Sequence, residues 1–137
     1  MHDGTKIAIV VRDTLLTWQK LNVVGFVAGG LVGSYPELVG SRYVDGSGRA
    51  YGPLIRQPVL IFAAPDAATL AMTLDRALRR GLTPSIYTAD LFGTGHDADN
   101  RAAVAAVPAE CLDLVGLAVH GPRKDVEKTV KGLVLHD

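Results

Sequence analysis

Cysteine is almost missing from this chain: Cys111 is the only one among 137 residues, so an intrachain disulfide is excluded. It lies in the apolar stretch AECLDLVGLAV, where a thiol usually packs as a small hydrophobic group. We therefore predict a buried and inert thiol, and a reactive thiol is the less favoured alternative.

An excess of charge of either sign is also missing, because 14 lysines and arginines balance 14 aspartates and glutamates. Proteins that bind nucleic acid usually carry a surplus of positive charge that neutralises phosphates. Nucleic acid is therefore not favoured as a partner, although a local basic patch stays compatible with this composition.

No hydrophobic run is long enough for a membrane helix. The run from Leu21 to Gly33 has 13 residues, four of them glycine, whereas roughly 20 apolar residues are needed to cross a bilayer. The run from Ile7 to Val11 is shorter still and is followed by Arg12 and Asp13, unlike the core of a signal peptide. Both runs are interpreted as buried core, so we expect a cytoplasmic protein with no membrane partner.

Motifs for common cofactors are lacking. No glycine-rich dinucleotide loop follows a strand, no phosphate loop is present, and no serine has the context of a nucleophile elbow. The histidines are scattered and have no second cysteine or H-x-x-x-H spacing beside them, so no metal and no cofactor are predicted. These histidines are His2, His96, His120 and His136.

What the sequence does contain is the pattern of a folded α/β protein. Hydrophobic residues make up 48% and charged residues 20%, which predicts one folded domain over residues 1–137. Buried strands are predicted at 6–11, 58–64, 84–88 and 114–119. Helices are predicted from residue 14 or 15 to about 30, from about 66 to 80, and from 122 to about 131. Residues 101–107 are predicted to form a short helix or an irregular segment, and the tail at 134–136 can add a short strand.

The first helix and one loop have further predicted details. Asp13 is expected to cap the first helix, and Gly25 and Gly29, four residues apart, are expected to let it approach the sheet closely. A hairpin is predicted from about Arg42 to Tyr51. The order of elements predicts an α/β fold: a three-layer mixed β-sheet of about four core strands with helices packed on it, plus the added β-hairpin.

Polar residues follow two of the predicted strands. Lys20 and Asn22 lie in the otherwise apolar first helix, and Asp90 precedes Thr94 by four residues in the loop after the third strand. Open α/β folds place their sites at the carboxyl ends of parallel strands, so we expect these residues to meet there.

Three segments resemble the type II peptidyl-tRNA hydrolases, in the same order. They are VVRDTLLTWQKLNVVGFVAG, GLTPSIYTADLFGTG and VGLAVHGPRKDVEKTVKGLVL, about half of the chain. The whole sequence, including TWQKLN, IRQPVL and DLVGLAVHGPRK, more closely resembles the family catalogued as domain of unknown function 2000.

The hydrolase resemblance implies a peptidyl-tRNA hydrolase II-like fold and an ester or amide substrate. On matching positions it implies catalytic roles for Lys20, Asp90 and Thr94: the carboxylate activates water, the ammonium stabilises the oxyanion and the hydroxyl bonds substrate or water. Gly93 and Gly95 replace the arginine and glutamine that the hydrolases have around this threonine. Together with the zero net charge, such departures disfavour transfer RNA as the substrate, because RNA binding relies on neutralised phosphates.

Trp18, Asn22 and His96 are the candidate substrate-binding residues, and the candidate ligand is an unknown small or peptide-like molecule. Each candidate also has a structural alternative. Lys20 can extend its ammonium to the helix edge, Asp90 can cap a turn, Thr94 can bond its own backbone, Trp18 can belong to the core, and His96 with Asp97 and Arg101 can form a solvated loop. Two functions therefore stay open: a hydrolase for an ester or amide, and a non-catalytic, homodimeric binding domain for a small molecule or partner.

Overall fold

The computed structural model describes residues 4–137, which form one five-stranded mixed sheet with helices on both faces. The predicted α/β class with a mixed sheet is confirmed. The strands are β1 (Thr5–Arg12), β2 (Val59–Ala64), β3 (Ser85–Thr88), β4 (Leu114–Pro122) and β5 (Val134–Leu135). The helices are α1 (Thr17–Ser34), α2 (Ala67–Arg79), α3 (Asp97–Ala105) and α4 (Arg123–Thr129), with 3₁₀ turns at Pro36–Leu38, Ala89–Gly93 and Ala109–Cys111.

The strand order is β3-β4-β1-β2-β5. β1 is parallel to β2 and antiparallel to β4, while β4 is antiparallel to β3 and β2 is antiparallel to β5. Strands β1, β2 and β3 therefore run in the same direction. Their carboxyl ends meet at one edge of the sheet, and the segments that follow them start there.

Alternating side chains of β1 supply two separate cores. Ile7, Ile9 and Val11 face α1, where they pack with the inward side chains Val23, Val27 and Leu31. Ala8 and Val10 face the opposite side, where α2 and α4 supply Leu70, Ala77 and Val126. Because β1 is covered on both faces, its sequence is apolar almost without interruption. The sheet is thus the middle of three layers.

The close approach of α1 to the sheet depends on a glycine of β4. A Cβ atom on Gly116 would lie 2.3 Å from Cγ1 of Val23 and 3.3 Å from the carbonyl oxygen of Val10. The prediction that Gly25 and Gly29 face the sheet is wrong, because both are exposed and nothing lies within 4 Å of an added Cβ. The inward side of α1 instead carries valine and leucine side chains.

The start of α1 also differs from the prediction. The helix begins at Thr17 and runs to Ser34, and Leu16 rather than Asp13 is its N-cap residue. The Leu16 amide donates a hydrogen bond of 3.0 Å to the side-chain oxygen of Gln19, which satisfies a donor at the helix start. The α2 prediction is closer: the Asp66 carboxylate caps the helix by accepting from the Thr69 amide at 2.8 Å.

Two further predictions need correction. Cys111 is exposed and not buried, because it ends a 3₁₀ turn on the surface before β4 enters the core. The predicted hairpin is reduced to a turn closed by one antiparallel bridge, Val44 with Ala50. All of the residues 41–50 are exposed, so no apolar face holds longer strands together there.

Within residues 4–137, no helix is both long and apolar enough to span a bilayer.

A buried histidine, His120, lies near the carboxyl end of β4, where it pairs with Ile7 near the amino end of β1. His120 packs edge-on against Tyr35, with 4.8 Å between the ring centroids, and its buried Nδ1 has no hydrogen-bond partner among residues 4–137. Burial holds the pKa of His120 below its usual value of 6.5. Glu37 opposes this shift and Arg56 adds to it. The folded protein therefore favours the neutral imidazole.

We expect the free energy of unfolding to fall as the pH drops below about 6.5, the ordinary histidine pKa. Above that pH both states hold a neutral ring, whereas below it the unfolded chain binds the proton first, which favours unfolding. Urea unfolding at pH 7.5, 6.0 and 5.0 measures this loss. The loss of stability should be smaller in His120→Phe, and it should be unchanged in the control His96→Gln. Equal losses in wild type and His120→Phe would contradict the assignment of this pH dependence to His120.

Candidate functional site

Helix α1 follows the carboxyl end of β1 and lies close to the segment that follows the carboxyl end of β3. We call the space between them the α1–α3 cleft; its volume is about 400 Å³. Helix α1 contributes Trp18, Asn22 and Phe26, and β3 contributes Tyr87. The rest of its lining comes from the 3₁₀ turn, the loop and the start of α3: Leu91, Phe92, Thr94, Gly95, His96, Asp97 and Asn100.

Four aromatic rings form one wall of the α1–α3 cleft. Trp18 meets Phe92 edge-on at 6.0 Å between centroids, and Tyr87 lies 5.2 Å from Phe92 and 5.7 Å from Phe26. Tyr87 is buried, which raises the pKa of its hydroxyl, whereas Trp18 is 55% exposed. Of the two predicted alternatives for Trp18, the structure places it on a cleft wall and not in the core.

Polar groups line the cleft as well. The Thr94 hydroxyl lies within hydrogen-bond distance of two acceptors, the Leu91 carbonyl at 3.0 Å and the Asn100 side chain. The Asn22 amide nitrogen donates to the Trp18 carbonyl at 3.3 Å, and its oxygen accepts no bond from residues 4–137. His96 is exposed at the N-cap of α3. The cleft therefore offers an amide, a hydroxyl and an imidazole beside the rings.

The ion pair of Asp97 and Arg101 lies next to these groups. The two side chains are four residues apart on α3 and are both mostly exposed. Exposed pairs of this kind contribute about 0–1 kcal/mol, because water screens them. Asp97 is thus paired along its own helix and not with His96.

Lys20 lies on the other side of α1. Its ammonium is 3.2 Å from Nε2 of His136, in a cavity of about 460 Å³. The ammonium can only donate, so Nε2 accepts, and Nδ1 carries the proton and donates to the Asp137 carbonyl at 3.0 Å. The other residues that line this Lys20 cavity are Val11, Thr17, Leu21, Val24 and Ile61.

Asp90 is exposed in the 3₁₀ turn after β3 and lines neither the α1–α3 cleft nor the Lys20 cavity. Its carboxylate forms no ion pair or side-chain hydrogen bond within the described part of the chain, residues 4–137. The structure therefore brings together Trp18, Asn22, Thr94 and His96, and it leaves Lys20 and Asp90 outside that group. Sequence reasoning missed Phe92, Tyr87 and Asn100, and the position of His136 beside Lys20.

A second groove continues the α1–α3 cleft along α1. Phe26, Tyr87, Leu91, Asp97 and Asn100 border both, and the groove adds about 490 Å³ of mostly apolar space. Its further lining is Val27, Gly30, Ser85, Ile86, Arg101, Val104 and Ala105. Together the two spaces form an elongated depression between α1 and α3.

Among residues 4–137, no three histidine, cysteine, aspartate or glutamate side chains lie close enough together to hold a metal ion.

The fold and the cleft define a three-layer α/β protein with a partly aromatic depression at the carboxyl edge of its sheet. The chain belongs to the family described as protein of unknown function DUF2000, whose model matches residues 5–137. The chain is also similar to a solved structure, that of a protein of unknown function from Agrobacterium tumefaciens strain C58. The two share 41% identity over 98% of each chain, with a TM-score of 0.94. A comparison with curated proteins found no significant match.

Proposed function

We propose that this protein binds a small peptide-like ligand, an amide or ester that carries an aromatic or apolar group, in the α1–α3 cleft. The observation that carries the proposal is that Trp18, Asn22, Thr94 and His96 line one cavity. Typical small-molecule sites combine mostly apolar walls with a few placed polar groups in about 300–1,000 Å³. The α1–α3 cleft has this composition and size.

The groups in the cleft indicate the chemistry of the ligand. The exposed face of Trp18 and the Phe92 ring suit an aromatic or aliphatic group, which they hold by stacking and by exclusion of water. The Thr94 hydroxyl already donates its proton within the protein, so its oxygen and the Asn22 oxygen suit N–H donors. The His96 imidazole suits a carbonyl oxygen. An amide with one apolar substituent meets all of these groups, and so does an ester whose acid part carries an amide N–H.

A hydrolase for an ester or amide is the second candidate. It is favoured by the likeness of the sequence to the type II peptidyl-tRNA hydrolases, whose fold we propose for this chain, and by the position of Thr94 in the cleft. In this mechanism Asp90 deprotonates the water that attacks the carbonyl carbon, Lys20 stabilises the oxyanion and Thr94 bonds the substrate. The C–O or C–N bond then breaks, and the leaving group takes the proton back from Asp90. The Lys20 ammonium must leave His136 and reach the α1–α3 cleft to take part. Binding without turnover is therefore placed first.

One experiment separates the two candidates. Trp18 is the only tryptophan of the chain, so intrinsic fluorescence reports directly on the cleft. N-acetylphenylalaninamide and the corresponding methyl ester serve as probes, with release of the acid from the ester followed in parallel. Binding is expected to change the Trp18 emission in a saturable way. Asn22→Ala and Phe92→Ala should each weaken binding by about tenfold, which corresponds to about 1.4 kcal/mol.

Val134→Ala is the matched control, because Val134 is 72% exposed on the edge strand β5 and lines none of the cleft. It should bind like the wild type. No saturation by either probe, or equal affinity in Asn22→Ala, Phe92→Ala and wild type, would contradict the binding proposal. Ester turnover that is lost in folded Lys20→Ala and Asp90→Asn would establish the hydrolase instead, and turnover that survives both changes would exclude those two roles.

A further inference from the structure

A strongly basic hollow lies between α2 and α4, on the face of the sheet opposite to the α1–α3 cleft. Its volume is about 540 Å³, and we call it the basic hollow. It is lined by five cationic side chains and one carboxylate: Arg76, Arg79, Arg80, Lys128, Lys131 and Asp125. The whole chain has no net charge, so this is a local concentration of positive charge.

Two contacts fix the walls of the basic hollow. Arg80 pairs with Asp125 at 3.0 Å, and both side chains are only about one third exposed. Arg76 donates a hydrogen bond of 2.7 Å to the carbonyl of Lys131, which ties α2 to the segment that follows α4. Two guanidinium groups are therefore held in place before any ligand arrives. The ammonium groups of Lys128 and Lys131 have no acidic partner among residues 4–137.

A structural role at the helix ends accounts for part of this charge. Both α2 and α4 end near the hollow, and each helix carboxyl end carries about half a negative charge that nearby cations offset. The five cations and one carboxylate of the lining leave a charge of +4, and Asp75, which pairs with Arg79 at 2.9 Å, reduces it to +3. Two helix ends remove about one more unit. Roughly two positive charges thus remain uncompensated.

We infer that the basic hollow binds a small polyphosphate anion, such as a diphosphate or triphosphate group. Planar guanidinium groups match phosphate oxygens in pairs, and the two lysines add mobile point charges. A single carboxylate ligand would leave about half of the excess charge unpaired, whereas a diphosphate or triphosphate group neutralises all of it. No aromatic side chain lines the hollow, so recognition rests on the anion and not on a stacked base. The confined extent of the charge favours a small anion over a nucleic acid.

Titration calorimetry with sodium tripolyphosphate at low salt tests this inference. We expect saturable binding that weakens as salt is added, because screening reduces the attraction. The double variant Lys128→Gln, Lys131→Gln should bind at least about tenfold more weakly, since it removes two charged hydrogen-bond donors from the exposed side of the hollow. The matched control is Lys124→Gln, an exposed lysine of the same helix that does not line the hollow.

Lys124→Gln should bind tripolyphosphate within about twofold of the wild type. No binding to the wild type, or equal loss in the control and the double variant, would overturn the inference. Uridine oligonucleotides form a second arm. Tighter binding of the oligonucleotide than of tripolyphosphate, with the same loss in the double variant, would assign the basic hollow to RNA and overturn the small-anion assignment.

Discussion

Gly116→Ala is expected to destabilise the protein by about 3 kcal/mol, at the upper end of the usual cost of overpacking. The new Cβ would lie 2.3 Å from Cγ1 of Val23 and 3.3 Å from the Val10 carbonyl oxygen. Val23 is completely buried, and a valine in a helix has one strongly preferred rotamer, so its side chain cannot turn away. Helix α1 would have to move off the sheet. Urea unfolding followed by circular dichroism measures the loss.

Two further variants test the cause of this loss. Gly29→Ala adds the same methyl group where nothing lies within 4 Å, so it should stabilise α1 by about 0.5–1 kcal/mol through helix propensity. Adding Val23→Ala to Gly116→Ala should recover part of the lost stability because it removes the clashing methyl groups. A stability of Gly116→Ala equal to that of the wild type would contradict the close approach of α1 to β4.

The second large effect is expected for Leu31→Ala, at about 3 kcal/mol of lost stability. Leu31 is fully buried on the inward face of α1, in the core it shares with Ile7, Ile9 and Val11. Truncation removes apolar contact and leaves a cavity that the surrounding β-branched side chains fill only in part. The free energy of unfolding from urea titration is the appropriate measurement.

Leu21→Ala is the matched control, because it makes the same substitution on the same helix with the same change in helix propensity. Leu21 is 69% exposed, so the expected change is within about 0.5 kcal/mol. The difference between the two variants therefore isolates the contribution of burial. Similar losses for both would mean that α1 does not pack on the sheet with the face described above.

The buried strands can be predicted from the sequence because each is a run of apolar, often β-branched residues. The pattern KIAIVV, for example, predicts β1 almost as the structure has it, over Thr5–Arg12. Helix α2 is equally well marked, since Asp66 caps its start and Gly81, with φ of +73°, follows its end. In both elements the local residue preferences and the tertiary packing favour the same structure.

The details of α1 and of the hairpin are less predictable because tertiary contacts decide them. Helix α1 is apolar nearly all round, so its periodicity does not show which side is buried. The glycines looked suited to the contact, but the side with Val23, Val27 and Leu31 fills the space against the sheet. At the hairpin, Asp45 and Gly48 specify a turn, while nothing nearby supplies the apolar cover that longer strands need.

The candidate site is only partly predictable for a related reason. The rule that sites follow parallel strands places Trp18 and Thr94 at the correct edge. It does not specify on which side of α1 a given residue lies. Trp18 and Asn22 point towards the segment after β3, whereas Lys20 points towards β2 and the tail. The contact of Lys20 with His136 joins residues that are 116 positions apart, a pairing that no local pattern encodes.

The central position of β1 has a consequence for synthesis on the ribosome. Ile9 pairs with Ile61 of β2 on one side and with Ala118 of β4 on the other. At about 5–20 residues per second, roughly 5 to 20 seconds pass between the translation of β1 and that of β4. Throughout that interval one long, apolar hydrogen-bonding edge of the nascent chain has no partner. We therefore expect the nascent chain to be most open to edge-to-edge association until β4 has been translated.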